Sequence, residues 1–301
     1  MKFAIHTDPK LALAVEAPRE KPALEPFCVT EASRALNNAA AGFAPISLEE
    51  MQEVALLDRI DTKFALPAAQ LASLLIDLQK DYRVLAVQGN RLSEYRTLYF
   101  DTPDFALYLA HATERANRYK VRMREYVASR ISFLEVKHKT SKERTIKERI
   151  KTRQPTTRLT AEMDGWLHSV SPLSGEMLEP KLWNTFRRMT LVSVRHGERV
   201  TIDVDLAFFT QDRLARLDGL AVVEVKCAGK RSLSPFLAQM RAHRVLPRSF
   251  SKYSIGVGLL VDDIKKNKLK AKLLWLQRHM REIQRELAAG TALPERQWQT
   301  S

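Results

Sequence analysis

The stretch NRYKVRMREYV, residues 117–127, decides the fold together with ISFLEVKHK, residues 131–139, which follows it after a short turn. Residues two apart in a β-strand share a face. Lys120, Arg122 and Arg124 therefore point one way, while the valine and methionine between them point the other. The two runs predict strands with one charged face and one largely apolar face.

The same alternation recurs in other short runs, with polar or turn residues between most of them. These runs are YRVLAV (82–87), YRTLYFDT (95–102), KERIK (147–151), RVTIDVDLAFF (199–209) and AVVEVKC (221–227). On the strands after residue 130, the charged faces carry Glu135, Lys137, Lys139, Arg199, Asp203, Asp205, Glu224 and Lys226. We predict an antiparallel β domain from this repetition.

Helical periodicity flanks and interrupts the β domain. Ser47 and Glu50 have the spacing of a capping box and predict a short helix over 47–57. Further helices are predicted over 67–82, around 161–170 and 233–243, and along the amphipathic last forty residues. The chain thus divides into a weakly ordered lead-in (1–45), a β domain (46–262) and a C-terminal amphipathic helix (263–301).

A closed tunnel reconciles these helices with the charged strand faces. Amphipathic helices need an apolar sheet surface, which places the apolar strand faces outside and the charges inside. For a single strand, a solvated face is the simpler interpretation, but the pattern recurs on several strands. We predict an α+β fold, an antiparallel β tunnel or barrel with a charged lumen and helices packed outside.

The charge balance indicates what such a lumen binds. The chain of 301 residues has a formal net charge of +14, which favours polyanionic partners. Phosphate chains suit the site, because Arg presents a planar fork of donors and Lys a compact charge. Carboxylates among the cations indicate Mg²⁺ or Mn²⁺, with Glu224 as the first candidate ligand and Asp203 and Glu135 behind it.

Composition also argues against several classes of protein. Cys28 and Cys227 are the two cysteines and make no disulfide framework, and the N-terminal stretch lacks the unbroken apolar core of a signal peptide. We therefore expect a cytoplasmic protein. Specific nucleic-acid binding is not expected, because no basic segment is interleaved with stacking aromatic residues.

Seven motifs in order resemble the VTC domain of polyphosphate polymerases, which belongs to the triphosphate tunnel metalloenzymes, also called CYTH-like proteins. They are RIDTKF, YFDT, YKVRMREY, FLEVKHK, RVTIDVDL, VVEVK and FSKYSIG, spread over about residues 47–262. The resemblance implies an eight-stranded antiparallel tunnel. It also implies transfer of the ATP γ-phosphate to a growing polyphosphate chain, with Mn²⁺ or Mg²⁺ as cofactor.

The resemblance also assigns roles to individual residues. The cations implied to act on the transferring phosphate are Arg122, Arg124, Lys137 and Lys252. The resemblance adds Lys63 and either Arg187 or Arg188 as residues that bind substrate, and the choice between the two arginines stays open. The further candidates for binding substrate, which alternation places on the charged strand faces, are Lys120, Lys139, Arg199 and Lys226. Ser249 stands where these polymerases carry a further lysine.

Other residues and activities stay as alternatives. His138 and Asp101 are interpreted as structural, whereas Asp61 and Glu148 fit an ion pair as well as a metal ligand. The rival functions are a tripolyphosphatase of the same fold and a non-catalytic module that binds polyphosphate or inositol phosphates. The basic stretch KKNKLKAKLLW (265–275) leaves a membrane or membrane-protein partner open, and the oligomeric state stays open too.

Overall fold

Twelve strands join in one sheet in the computed structural model, which describes residues 15–16, 29–53, 59–142, 144–228 and 233–289. The strands are β1 (Val15–Glu16), β2 (Ala44–Ile46), β3 (Arg59–Pro67), β4 (Arg83–Leu85), β5 (Ser93–Asp101), β6 (Arg118–Tyr126), β7 (Ile131–Lys139), β8 (Thr145–Thr152), β9 (Glu179–Ser193), β10 (Glu198–Phe209), β11 (Leu214–Leu217) and β12 (Leu220–Ala228). The helices are α1 (Glu31–Ala41), α2 (Leu48–Glu53), α3 (Ala68–Ile76), α4 (Ala106–Ala112), α5 (Ala161–Val170), α6 (Pro235–Ala242), α7 (Lys252–Leu260) and α8 (Lys270–Ala288).

Eight antiparallel strands form the main path of the sheet, in the order β3-β12-β10-β9-β5-β6-β7-β8. This confirms the predicted α+β class and the eight-stranded sheet. The sheet differs from the predicted tunnel in that it is not closed, since β3 and β8 do not pair with each other among the described residues. At Lys63, the free edge of β3 instead accepts a hydrogen bond from the Arg248 backbone N–H at 2.8 Å. A loop therefore occupies the β3 edge at the point where a closing strand was expected.

The sheet curls so that one face is concave and the other is covered by helices. Outside, α1, α3 and α6 pack over apolar residues of β9, β10 and β12, and α5 packs over those of β5, β6 and β7. Val121 and Met123 are among these buried residues, whereas Arg122 between them points to the concave face. The predicted orientation, with apolar faces outside and charges inside, is confirmed for these strands.

One end of the concave face is apolar, which the alternation pattern did not predict. There α7 packs into a cluster with Phe186, Phe208 and Tyr95, and α8 packs against the same cluster rather than on the outer face of the sheet. Gly256 permits this approach, because a Cβ there would lie 2.5 Å from Leu182 Cδ2 and 2.6 Å from Phe208 Cδ1. The charged part of the concave face is therefore bounded at one end by a helix.

Several helices match their predictions. The capping box is present, with the Glu50 carboxylate accepting from the Ser47 N–H at 2.8 Å and the Ser47 Oγ accepting from the Glu50 N–H at 3.2 Å. Helix α2 is described only to Glu53, and the remainder of the predicted 47–57 helix lies outside the described residues. Helix α5 has the predicted bounds, and α6 begins and ends within the predicted range.

Several elements are additional to the predictions, among them strand β9 and helices α1, α4 and α7. Strand β9 was missed, although it is the longest of the sheet at 15 residues. Helix α1 lies in the segment expected to be a weakly ordered lead-in. Its Thr30 cap accepts a hydrogen bond from the Ser33 N–H, and Leu36 and Ala40 are fully buried against the sheet. None of the helices in the described part of the chain combines the length and the apolar character needed to cross a membrane.

Candidate anion-binding site

Asp203 on β10 is shared by two cations on the concave face. Its Oδ1 accepts from Arg188 Nε at 2.5 Å and its Oδ2 from Arg188 Nη2 at 2.8 Å, and Lys252 Nζ also contacts Oδ2. Arg188 is its partner across the β9–β10 ladder, and Lys252 is the first residue of α7. Burial opposes ionisation, but the two cations hold the pKa of Asp203 well below its usual range.

Glu135 on β7 forms a second group of the same kind. It accepts from Arg122 Nε at 2.7 Å, lies 2.6 Å from Arg122 Nη2, and forms an ion pair with Lys147, whose Nζ is 2.8 Å from Glu135 Oε1. Arg122 is its cross-strand partner on β6, and Lys147 lies on β8. The side chain of Glu135 is almost fully buried, and Arg122 and Arg124 outweigh that burial and lower its pKa.

Glu224 on β12 joins Lys63, its partner across the ladder on β3, with Lys226, two residues along its own strand. Burial, followed by repulsion from Lys226 and Lys252, lowers the pKa of Lys63 to about 7. The segment 248–251 brings β3 and β6 near each other, because the Arg248 backbone N–H donates to the Lys63 carbonyl oxygen and Ser251 Oγ accepts from Lys120 Nζ on β6.

Two other cations on this face, Lys120 and Arg124, form no ion pair with a carboxylate among the described residues. Lys120 Nζ donates to Ser251 Oγ at 3.0 Å, and burial and repulsion from Lys137 lower its pKa to about 7. Arg124 donates to Thr97 Oγ1 at 3.4 Å, and its guanidinium lies 5.7 Å from the centroid of the Tyr95 ring. An anion placed here would find donors that no protein carboxylate occupies.

The concave face therefore has two halves. The balanced half comprises β3, β12, β10 and β9, where Glu224 and Asp203 each bridge two cations. The cationic half comprises β6, β7 and β8, where Glu135 stands among Lys120, Arg122, Arg124, Lys137, Lys139, Lys147, Arg149 and Lys151.

The choice between Arg187 and Arg188 is decided by strand alternation. Arg188 lies on the concave face, whereas Arg187 faces the other way and pairs with Asp205 at 3.1 Å and Glu94 at 2.9 Å. Asp205 has φ +53°, and a bulge follows Val204, which turns its carboxylate away from the face it was predicted to share with Asp203. Arg187 therefore lies apart from the candidates for binding substrate that share the concave face.

Most remaining candidates lie on the concave face, at different depths. Lys226 reaches Glu224, and Lys137 is exposed on the cationic half. Lys139 ends β7, next to the turn into β8. Arg199 lies at the margin of the balanced half, where it donates to the Met51 carbonyl oxygen of α2 at 3.0 Å. Its role there is in part to hold α2 on the sheet.

The three predicted metal ligands do not converge. Among the described residues, no three His, Cys, Asp or Glu side chains form a group that could hold a metal ion. Glu135, Asp203 and Glu224 belong to separate groups, so the residues do not fit a metal held by the protein alone. Glu224 is the most open of the three, with 24% of its side chain exposed against 1% for Glu135 and 4% for Asp203.

Lys147 was missed as a site residue. Its strand was predicted from KERIK, but only the β7–β8 register places it opposite Lys137 and within reach of Glu135.

Two residues interpreted as structural make contacts of that kind. Asp101 is buried and accepts from the Tyr253 hydroxyl at 2.5 Å and from backbone N–H groups at the start of α4. His138 stacks on Tyr119 with ring centroids 4.2 Å apart.

Comparison with known proteins gives a family match and distant structural likenesses. The VTC domain family matches residues 58–261, and no curated protein matches the chain. HpAC1 from Hippeastrum, described as having a dominant triphosphatase activity, is 16% identical, with a TM-score of 0.41 over 67% of this chain and 96% of that one. A Bacillus halodurans protein, provisionally an adenylate cyclase, is 12% identical, with a TM-score of 0.40 over 68% of this chain and 99% of that one.

The family match covers more than half of the chain and contains β3, β12, β10 and the other strands of the eight-stranded path. It also contains Asp203, Glu135, Glu224 and the cations that surround them. The chain belongs to the VTC domain family.

Proposed function

We propose that the protein transfers the terminal phosphate of ATP to a growing chain of inorganic polyphosphate. The observation that carries the proposal is the surplus of buried or half-buried cations on the concave face of a VTC domain. Lys63, Lys120 and Lys252 have pKa values lowered to about 7, about 7 and about 8, because burial and neighbouring cations disfavour their charge. A bound polyanion removes that penalty.

In this mechanism the terminal oxygen of the acceptor chain attacks the γ-phosphorus of ATP. The new oxygen–phosphorus bond forms as the bond to the bridging oxygen of ADP breaks, so no protein nucleophile takes part. Arg122, Arg124, Lys137 and Lys252 bind the equatorial oxygens and stabilise the charge that spreads over them. Tyr95 and Phe186 lie beside these guanidinium and ammonium groups and keep water from one side of the site.

A divalent ion would enter with the nucleotide as part of the substrate. Mg²⁺ and Mn²⁺ are commonly held by one or two carboxylates together with phosphate oxygens and water. Glu224 is the carboxylate that fits this role, since it is half-exposed and its two partners are lysines that can turn to phosphate oxygens instead. When bound, the ion would neutralise phosphate charge.

Incubating the protein with ATP and Mn²⁺ or Mg²⁺, while resolving polyphosphate on a gel and assaying free phosphate, tests the proposal. We expect a ladder of products that Glu224→Ala abolishes. Glu148→Ala is the matched control, because Glu148 is exposed on the opposite face of β8. Free phosphate without a ladder would identify a tripolyphosphatase, and tight binding without turnover would identify a binding module; either result overturns the polymerase.

A further inference from the structure

The groups of side chains centred on Asp203, Glu135 and Glu224 are called the enclosed groups below. Along β8, the cationic half continues beyond them. Lys147, Arg149 and Lys151 are two residues apart and share the concave face, because their cross-strand partners on β7 are Lys137, Glu135 and Phe133. We call these three residues the basic strip. At about 3.3 Å per residue, the strip spans about 13 Å of strand.

The strip runs without interruption into the enclosed site. Lys147 shares Glu135 with Arg122, and burial is the main cause that lowers its pKa to about 8. Arg149 and Lys151 are exposed, and no described residue forms an ion pair with either of them. The Arg149 guanidinium lies 4.6 Å from the centroid of the Phe133 ring, which holds it over the concave face.

Protection of an edge strand does not account for this arrangement. Charges that prevent edge pairing, lysines above all, need only lie on the edge strand and need not continue a set of cations from the neighbouring strands. Here the charged residues on the concave face of β8 are all cations and continue those of β6 and β7, while the one described acidic residue of β8, Glu148, lies on the other face. No described strand pairs with the outer edge of β8, which ends the strand order, so a chain leaving the enclosed groups could pass along this edge.

We propose that the basic strip binds the part of a long inorganic polyphosphate chain that extends beyond the enclosed groups. The proposal rests on the proposed function and names where the acceptor or product chain runs. A linear polyanion fits because the strip offers cations in a row and few ring faces. Phe133 is covered by Arg149, and Phe186 by Arg188 and Lys252, so neither of these two rings offers an uncovered face for a base to stack on.

The test compares affinities for long-chain polyphosphate and for tripolyphosphate, measured by calorimetry at physiological salt. The variant is Arg149→Ala with Lys151→Ala, and the matched control is Lys270→Ala with Arg278→Ala, which removes the same charge from exposed positions of α8. We expect about tenfold weaker binding of long-chain polyphosphate in the strip variant. Binding of tripolyphosphate, and both affinities of the control, should change by less than about twofold.

Three results would overturn the inference. The strip variant could bind long chains as tightly as the wild type, or the α8 control could lose as much affinity, which would make the effect one of net charge. A single-stranded oligonucleotide could bind the wild type as tightly as polyphosphate does, and the strip variant could lose affinity for both ligands to the same extent. Failure of the proposed function looks different, because the wild type would then form no polyphosphate ladder from ATP, whatever the affinities of the strip variant and the α8 control.

Discussion

In the balanced half of the concave face, Asp203 and Glu224 each bridge two cations, whereas in the cationic half Glu135 is surrounded by many more cations than it can pair. Both halves come from strands with the same alternation. The difference shows that one surface can keep half of its charge compensated for stability and leave the other half uncompensated for a ligand. Changes in the two halves should therefore affect different measurements.

The largest expected effect is on stability, in the balanced half. Asp203→Ala leaves Arg188 and Lys252 facing each other without their shared carboxylate, and breaking such a buried group costs about 4 kcal/mol. Urea denaturation should show this loss, and saturating tripolyphosphate should restore part of it by replacing the carboxylate. A variant as stable as the wild type would show that the three side chains are not electrostatically linked.

A smaller effect, on turnover, is expected in the cationic half. Arg122→Ala should lower the rate of phosphate transfer by about 10²-fold, because it removes a fork of donors from the developing charge. Arg122→Lys is the matched control and should retain part of the rate, since it keeps the charge and loses the fork. Circular dichroism checks that both variants fold, and equal rates in wild type and Arg122→Ala would remove Arg122 from the mechanism.

A smaller effect than that of Arg122→Ala is expected when the pH changes. As the pH rises, the affinity for tripolyphosphate should fall, whereas the stability of the free protein should increase. Lys63 and Lys120 have pKa values of about 7, so affinity for tripolyphosphate should fall as the pH rises through neutrality, by up to about tenfold per unit for each proton. The folded pKa values lie below the unfolded value of 10.5, so the free protein should gain stability between these values as the pH rises.

Calorimetry of tripolyphosphate binding across this range measures the first slope, and urea midpoints measure the second. Lys63→Arg is the control, because an arginine stays charged and should flatten the part of the binding slope that belongs to that position. Affinity that does not change with pH would mean that these lysines are fully charged in the free protein.

The smallest expected effect is the loss of stability in Glu224→Ala, which should be less than that in Asp203→Ala although both carboxylates lie in the balanced half. Glu224→Ala should cost about 1 kcal/mol of stability, because the Glu224 carboxylate and the ammonium groups of its two lysine partners are partly exposed to water. Urea denaturation beside Asp203→Ala makes the comparison. A loss as large as that of Asp203→Ala would show that burial does not set the difference between the two groups.

Several features of this site were predictable from local pattern. The alternation around Lys120, Arg122 and Arg124 gave the charged face, and the same pattern on later strands gave Glu135 and Glu224. The α5 bounds and the Ser47 capping box followed from helical periodicity and end signals. Each of these depends on residues a few positions apart, which is the range over which strand and helix geometry acts.

Other features could not be predicted because they depend on distant contacts. The segment of β9 was noted for Arg187 and Arg188 but not as a strand, and Asp205 was placed on the wrong face because a bulge is not visible in alternation. The apolar end filled by α7 was also missed. Its residues alternate like those of the charged end, but they meet a helix that lies far along the chain.

By itself the sequence determined that this protein is an α+β chain with strands of one charged and one apolar face, and it identified the VTC family. Tertiary structure alone decided that β3 and β8 do not pair within the described part of the chain, that α7 closes one end, and which carboxylates share their cations. The physical reason is the separation along the chain of the residues involved. Side-chain direction follows from backbone geometry two residues away, whereas closure, burial and charge pairing depend on which distant strands the fold brings together.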